Sequence, residues 1–218
     1  MFLGDIKNPF SSSRLIYRAA EKDDEGWLAL NNQEDPLGRV QNNPALWVPT
    51  SNKDGEGYRE YITGKCLLGV IICLKPDAAA DSKEDEKTGA ISSNPPEKSK
   101  PIPVGSMSVT KGEGKYQHHR NSDIGLHIAQ QYRNKGYGTE AIHWVLWWGF
   151  QHAGLHRIAI GCYSYNDGAR RLYERLGFVF EQRCRENVWF NGGWHDTIGW
   201  ALLEDEWREK VGLLKERK

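Results

Sequence analysis

The segment from Asp123 to Phe178 constrains this chain more than any other. Residues 123–129 alternate, with Ile124, Leu126 and Ile128 on one face and Asp123, Gly125 and His127 on the other. That period of two marks a half-buried strand. A polar loop, QQYRNKGYG, follows. Helical spacing of Ala141, Ile142, Val145, Leu146 and Gly149 then predicts a helix over about 139–153, stopped by Gly154. Residues 157–163, RIAIGCY, read as a second strand. Asn166 is placed to cap a second helix, whose apolar face is Ala169, Leu172, Tyr173 and Leu176 and whose end is Gly177. Strand, glycine-rich loop, helix, strand, helix is the order of an α/β layer architecture.

The loop carries the chemistry. Gly136 and Gly138 stand at a helix entrance, behind Arg133 and Lys135 and before Thr139. Such an entrance exposes unpaired backbone N–H groups, and the helix dipole adds partial positive charge. Glycines let a ligand approach the backbone closely. With the charges of Arg133 and Lys135, the result is an anion site suited to a phosphate or pyrophosphate. Gly136-x-Gly138-x-x-Ala141 formally matches the dinucleotide fingerprint. That fingerprint needs its glycines directly after a strand and an acid about 20 residues on. Here a polar loop intervenes, and RIAIGCY contains no acid. The plain structural alternative is a helix entrance without a ligand.

Elsewhere, residues 14–18 form a short strand-like run, and 20–64 hold one or two helices. The nine-residue apolar run CLLGVIICL, 66–74, suits a buried strand. It is far short of the roughly 20 residues that span a bilayer. Residues 76–103 contain five prolines, many charges and no aromatic residue. They cannot bury enough apolar surface to offset their ordering entropy, and read as a flexible insertion or a functional lid. Residues 104–109, VGSMSV, are the next strand, and the simplest pairing makes a hairpin with 66–74. Two final strands, 178–190 and 195–203, are joined by the turn at Asn191 to Gly193, before a charged terminal helix. The whole chain, 1–218, reads as one domain.

Lys and Arg number 29 and so do Asp and Glu, a balance that argues against a nucleic-acid groove or a polybasic membrane contact. Locally the balance breaks. Residues 130–175 hold six Lys/Arg (133, 135, 157, 170, 171, 175) against three acids (140, 167, 174), a net of +3. The acids Asp23, Asp24, Glu25, Glu34 and Asp35 are either a patch for a cationic amine or a solvated helix face. Cys66, Cys73, Cys162 and Cys184 lack metal-ligand spacing and read as buried, reduced thiols, with no metal expected. The first residues, MFLGDIKNPF, lack a charged start followed by an apolar core, so no secretory signal is expected and the protein reads as cytoplasmic, as a monomer or homodimer. Nine tryptophans, including Trp144, Trp147, Trp148, Trp189, Trp194, Trp200 and Trp207, are expected to mark the core and part of an acceptor pocket.

Arg133-x-x-Gly136-x-Gly138-Thr139 resembles the acetyl-CoA pyrophosphate loop of the GNAT superfamily of N-acetyltransferases, whose pattern is Q/R-x-x-G-x-G/A. Asn166, Ala169, Leu172-Tyr173 and Leu176-Gly177-Phe178 resemble that family's second signature. Arg14-Leu-Ile and His195-Asp-Thr are similar to the ribosomal-protein N-terminal acetyltransferase branch. The resemblance implies a central mixed, largely antiparallel twisted sheet, splayed between strands 123–129 and 157–163 and flanked by helices. It implies acetyl-CoA in the opening as co-substrate, without a metal, and a primary amine as acceptor. The pyrophosphate would meet the backbone from Asn134 through Lys135, Gly136, Tyr137 and Gly138 to Thr139, with Arg133 beside it. The pantetheine arm would pair with the strand near His127 to Ala129 and touch Asn166.

The implied reaction is attack of a neutral amine on a thioester. A backbone N–H near Ile128 would stabilise the oxyanion. Tyr173 holds the family's acid position; its structural alternative is core packing with a satisfied hydroxyl. The base is open among His127, Asp123, a water chain and the pair His195 and Asp196, while His118 and His119 read as solvated. A non-catalytic acetyl-CoA-binding module on the same fold is the alternative function.

Overall fold

The computed structural model of the protein describes residues 8–43, 45–76, 101–112 and 114–213. The expectations for residues 1–7 and for 77–100 of the insertion lie outside these. Seven strands, β1 (Leu15–Arg18), β2 (Cys66–Leu74), β3 (Ile102–Thr110), β4 (Asn121–Ile128), β5 (Arg157–Tyr163), β6 (Val179–Phe190) and β7 (Gly193–Leu203), form one sheet in the order β1-β2-β3-β4-β5-β7-β6. Every neighbouring pair is antiparallel except β4 and β5, which run parallel. β2 and β3 pair as the expected hairpin. The run of β2 lacks alternation because both faces are covered. Val70, Ile72 and Leu74 join the main core, whereas Ile71 and Cys73 join a second cluster with Leu28 and Ile62.

Residues 20–64 form three helices rather than one or two: α1 (Glu25–Glu34), α2 (Pro36–Asn42) and α3 (Asn52–Glu60), the last continuing as a π turn, Tyr61–Lys65. Local chemistry separates the first two. Pro36 opens α2, and the Asp35 side chain caps it by accepting from the Gly38 N–H at 2.9 Å.

On the other face lie α4 (Tyr137–Trp147), α5 (Asp167–Leu176) and, after β7, α6 (Glu204–Lys210). α4 begins two residues earlier than the apolar spacing predicts and widens into a π turn at Trp148–His152. Its Ala141, Ile142, Val145 and Leu146 are buried, and Trp144 stacks on Tyr17 with ring centroids 3.7 Å apart. Gly177 ends α5 in the left-handed region, at φ +83°. Asn191 and Gly192, both at positive φ, turn β6 into β7 as a two-residue hairpin loop.

Two expectations need correction here. Cys73 and Cys162 are buried and Cys66 is partly so, but Cys184 is exposed on β6, which has no strand beyond it. Trp144, Trp200 and Trp207 are core residues, whereas Trp189 and Trp194 pack edge to face on the exposed side of the β6–β7 hairpin. No helix among the described residues is long and apolar enough to cross a membrane.

Candidate functional site

The site exists because β4 and β5 part. They pair only where Asn121, Ser122 and Asp123 meet Arg157, Ile158 and Ala159. Beyond that the two strands diverge, and a cleft of about 940 Å³ opens between them, reaching from the loop before α4 to α2 on the opposite face of the sheet.

At one mouth stands the glycine loop. Asn134 (φ +61°) and Gly136 (φ +82°) turn the chain into α4, with Gly136 as its N-cap. The Glu140 N–H is already spent, donating to the Gly136 carbonyl at 3.1 Å. The N–H groups of Tyr137, Gly138 and Thr139 precede any intrahelical acceptor and remain open. A Cβ placed on Gly138 would lie 3.7–3.9 Å from Leu172, Leu126 and Ile128, which is ordinary contact. The protein alone therefore does not require glycine there. A methyl-sized space lies open against the backbone at Gly138.

The loop is held from behind by the segment that leads into β1. Arg14 donates to Glu140 Oε2 (2.8 Å) and to the Lys135 carbonyl (3.0 Å), and its guanidinium lies 4.6 Å from the Tyr137 ring centre. Burial opposes ionisation of Glu140, but bonds from the Arg14 N–H, the Ser12 hydroxyl and the Arg14 guanidinium hold its carboxyl below its ordinary value.

The charges fall differently from the sequence expectation. Arg133 lines the cleft, but its guanidinium is ion-paired with buried Asp35 and donates from Nε to the Ile128 carbonyl at 2.9 Å. Lys135 is exposed beside the Tyr132 ring and is not among the residues lining the cleft; Tyr137 turns its ring into the core. Neither side chain is therefore placed to face an anion in the cleft. Arg171 and Arg175 on α5 line the cleft instead, and Arg175 Nη2 lies 3.5 Å from Thr139 Oγ1. Sequence reasoning counted them within a cationic patch without assigning them to the site. Their spacing of four on one helix was the available signal.

The splayed strand edge supplies backbone donors. The Ala129 N–H is spent on the Val104 carbonyl at 2.9 Å. Antiparallel alternation then turns the Ile128 N–H away from β3, toward the opening. Asn166 lines the cleft and caps α5, its Oδ1 accepting from the Ala169 N–H at 3.1 Å. Tyr173 also lines the cleft and packs edge to face on Trp200 at 5.7 Å. Its hydroxyl has no hydrogen-bond partner among the described residues. Burial, with nearby Cys162 adding to it, pushes its pKa well above the ordinary tyrosine value, so the proton is held at neutral pH.

The two leading base candidates sit in different surroundings. Asp123 is exposed, lines the cleft, and has a carboxylate without a partner among the described residues. His127 does not line the cleft. Asn42 Nδ2 lies 3.0 Å from its Nδ1, which leaves the ring proton on Nε2, and that atom is buried without a partner. Burial, reinforced by the Arg133 charge, pushes its pKa down to about 4. A ring with its lone pair occupied and so low a basicity does not suit proton abstraction. His195 Nε2 lies 3.2 Å from the Phe190 carbonyl, and Asp196 is held by Arg183 and the Glu186 N–H, so this pair is also occupied. His118 and His119 are exposed. Of the acidic cluster, Asp24 pairs with Arg18, Glu25 with Arg59 and Asp35 with Arg133, while Asp23 is exposed. Among the described residues no group of three His, Cys, Asp or Glu is arranged to hold a metal.

A family model described as an acetyltransferase (GNAT) domain matches residues 14–179. The chain is 34% identical over 91 residues to "Putative ribosomal N-acetyltransferase YdaF" of Bacillus subtilis, covering 42% of this chain and 50% of that protein. It is 29% identical over 89 residues to a spermidine N(1)-acetyltransferase of Vibrio cholerae, covering 41% and 51%. The chain thus spans about half the length of the curated relatives it matches. Among solved structures, a GNAT-family acetyltransferase from Bacillus anthracis superposes with a TM-score of 0.66 at 21% identity, covering 90% of this chain and 99% of that one. At that identity the likeness is one of fold.

Proposed function

The chain belongs to the GNAT acetyltransferase family, and we propose that it transfers an acetyl group from acetyl-CoA to a primary amine by direct attack of the amine on the thioester. One observation carries this reading: the open N–H groups at the start of α4, the strand edge at Ile128 and the unpartnered hydroxyl of Tyr173 all border one cleft. The methyl-sized space at Gly138 fits a ligand backed against the helix.

Acetyl-CoA supplies the activated acyl group. The N–H groups of Tyr137, Gly138 and Thr139 bind its pyrophosphate, with the backbone of Asn134 to Gly136 shaping the turn and Arg171 and Arg175 adding positive charge. The Arg133 guanidinium contributes by fixing the loop to β4 and α2 rather than by carrying a free charge. Asn166 holds the start of α5 against the pantetheine arm. The Ile128 N–H faces the carbonyl oxygen as negative charge develops there, where a fixed, preorganised donor is most effective. Tyr173 keeps its proton until the sulfur departs, then donates it.

The attacking amine must be neutral. An α-amine, which ordinarily titrates near 7.7–8.0, needs less help than a lysine-type amine near 10.4. Asp123 receives the incoming ammonium and passes its proton to water. The test is thiol release from acetyl-CoA with N-terminal peptides, polyamines including spermidine, amino sugars and lysine peptides. Release with at least one acceptor is expected. Tight acetyl-CoA binding with no acceptor reacting would overturn the reading in favour of a binding module.

A further inference from the structure

Among the described residues four cationic side chains line the cleft, and two of them are already neutralised. Arg133 is paired with Asp35, and Arg157 with Glu181. Arg171 and Arg175 are not. Arg171 has no hydrogen-bond or ion-pair partner among the described residues, and Arg175 meets only the Thr139 hydroxyl, at 3.5 Å. Of the acids on α5, Asp167 is paired with Arg170, and Glu174 makes no ion pair with either arginine. Both arginines are exposed, so they stand at the rim of the cleft.

Their placement is specific. Four residues apart on α5, they share one edge of that helix and are about 6 Å apart along its axis. Leu172, between them in the chain, lies 3.7 Å from a Cβ placed on Gly138. The Thr139 contact sets Arg175 beside the last of the three open N–H groups at the α4 entrance.

These two sets of donors suit two kinds of phosphate. A pyrophosphate bridge carries one charge on each phosphorus, and the backbone N–H groups and dipole of α4 suit it. A phosphate monoester carries nearly two charges at neutral pH and has three free oxygens. Guanidinium forks bind such a group bidentately. Two neighbouring arginines whose charge no carboxylate offsets match the monoester.

We propose that Arg171 and Arg175 form a separate phosphate-monoester site that takes the 3′-phosphate of CoA, so that the protein discriminates CoA from 3′-dephospho-CoA. The inference rests on the acetyl-CoA reading above and adds the third phosphate to it. With the thioester in the fork and the pyrophosphate on α4, the 3′-phosphoadenosine is the part of the molecule left at the rim, where the two arginines stand.

The experiment is calorimetric binding of CoA and of 3′-dephospho-CoA to the wild-type protein and to the double variant Arg171→Gln with Arg175→Gln, whose folding is checked by thermal melting. The wild-type protein should bind CoA at least tenfold more tightly than dephospho-CoA, and added salt should narrow that gap. The variant should bind CoA tenfold or more weakly than wild type, while its Kd for dephospho-CoA stays within about twofold. Equal wild-type affinity for the two ligands would overturn the proposal. So would a variant that loses both ligands in the same proportion, which would assign the arginines to the pyrophosphate instead. Either result leaves acetyl-CoA binding and acetyl transfer intact. Binding of neither ligand by the wild-type protein would overturn the acetyl-CoA reading, and this proposal with it.

Discussion

Asp35 and Arg133 form an ion pair that joins the start of α2 to the glycine loop. Arg133 Nη1 lies 3.3 Å from Asp35 Oδ1 in addition to the closer contact between Nη2 and Oδ2, and the Asp35 side chain is 4% exposed. The same carboxylate caps α2, and Arg133 Nε anchors the end of β4. Gly38 is fitted against the pair, because a Cβ there would collide with both side chains. Three elements that shape the site therefore share one pair of charges. Removing one partner of a buried pair leaves the other charge stranded. Asp35→Ala should cost about 2–4 kcal/mol, toward the low end for a buried pair because Arg133 is about a quarter exposed. Urea denaturation would measure this, and a loss under about 1 kcal/mol would contradict it.

Gly138→Ala separates ligand binding from folding. Alanine in a helix is favoured over glycine by up to about 1 kcal/mol, and the added methyl makes only ordinary contacts within the protein. Thermal stability should hold or rise slightly, while the acetyl-CoA Kd rises tenfold or more by calorimetry. An unchanged Kd would remove the pyrophosphate role from this loop.

Tyr173→Phe should lower kcat by about 10²-fold or more, the scale of general acid catalysis, with little change in the acetyl-CoA KM. Its hydroxyl has no hydrogen-bond partner among the described residues, so unfolding stability should be unchanged or slightly higher. Wild-type turnover in this variant would rule out the acid assignment.

His127 makes stability depend on acid. Its pKa is about 4 in the folded protein against 6.5 when unfolded. The unfolded chain therefore binds the proton first as pH falls. Its neutral, buried state is fully compatible with folding above pH 6.5, and stability is lost as pH drops from there toward 4, by roughly 3 kcal/mol in total. His127→Gln should flatten this part of the stability profile. Equal pH dependence of the melting temperature in both proteins over that range would refute the assignment.

Local patterns carried most of the fold into the sequence. The alternation of β4, the apolar faces of α4 and α5, the Asn166 cap, the Gly177 stop and the Asn191-Gly192 turn depend on neighbours within a few residues. So does the geometry of Gly136, whose left-handed φ is a backbone property. What escaped was partner choice. Three helices stand where one or two were expected because Asp35 and Pro36 both end one helix and begin the next.

Sequence alone determined that this chain has a strand, a glycine-rich helix entrance and a capped second helix in the GNAT order, because each is written in short-range spacing. Only the tertiary structure decided which charges remain free in the site. Arg133 meets Asp35 across 98 positions and Arg14 meets Glu140 across 126, so their charges are committed before a ligand arrives. His127 and Asp123 alternate on the same strand face, yet one is sealed under Asn42 and the other opens to the cleft. Strand periodicity sets the face a side chain takes. Its protonation and availability follow from what the rest of the chain packs against that face.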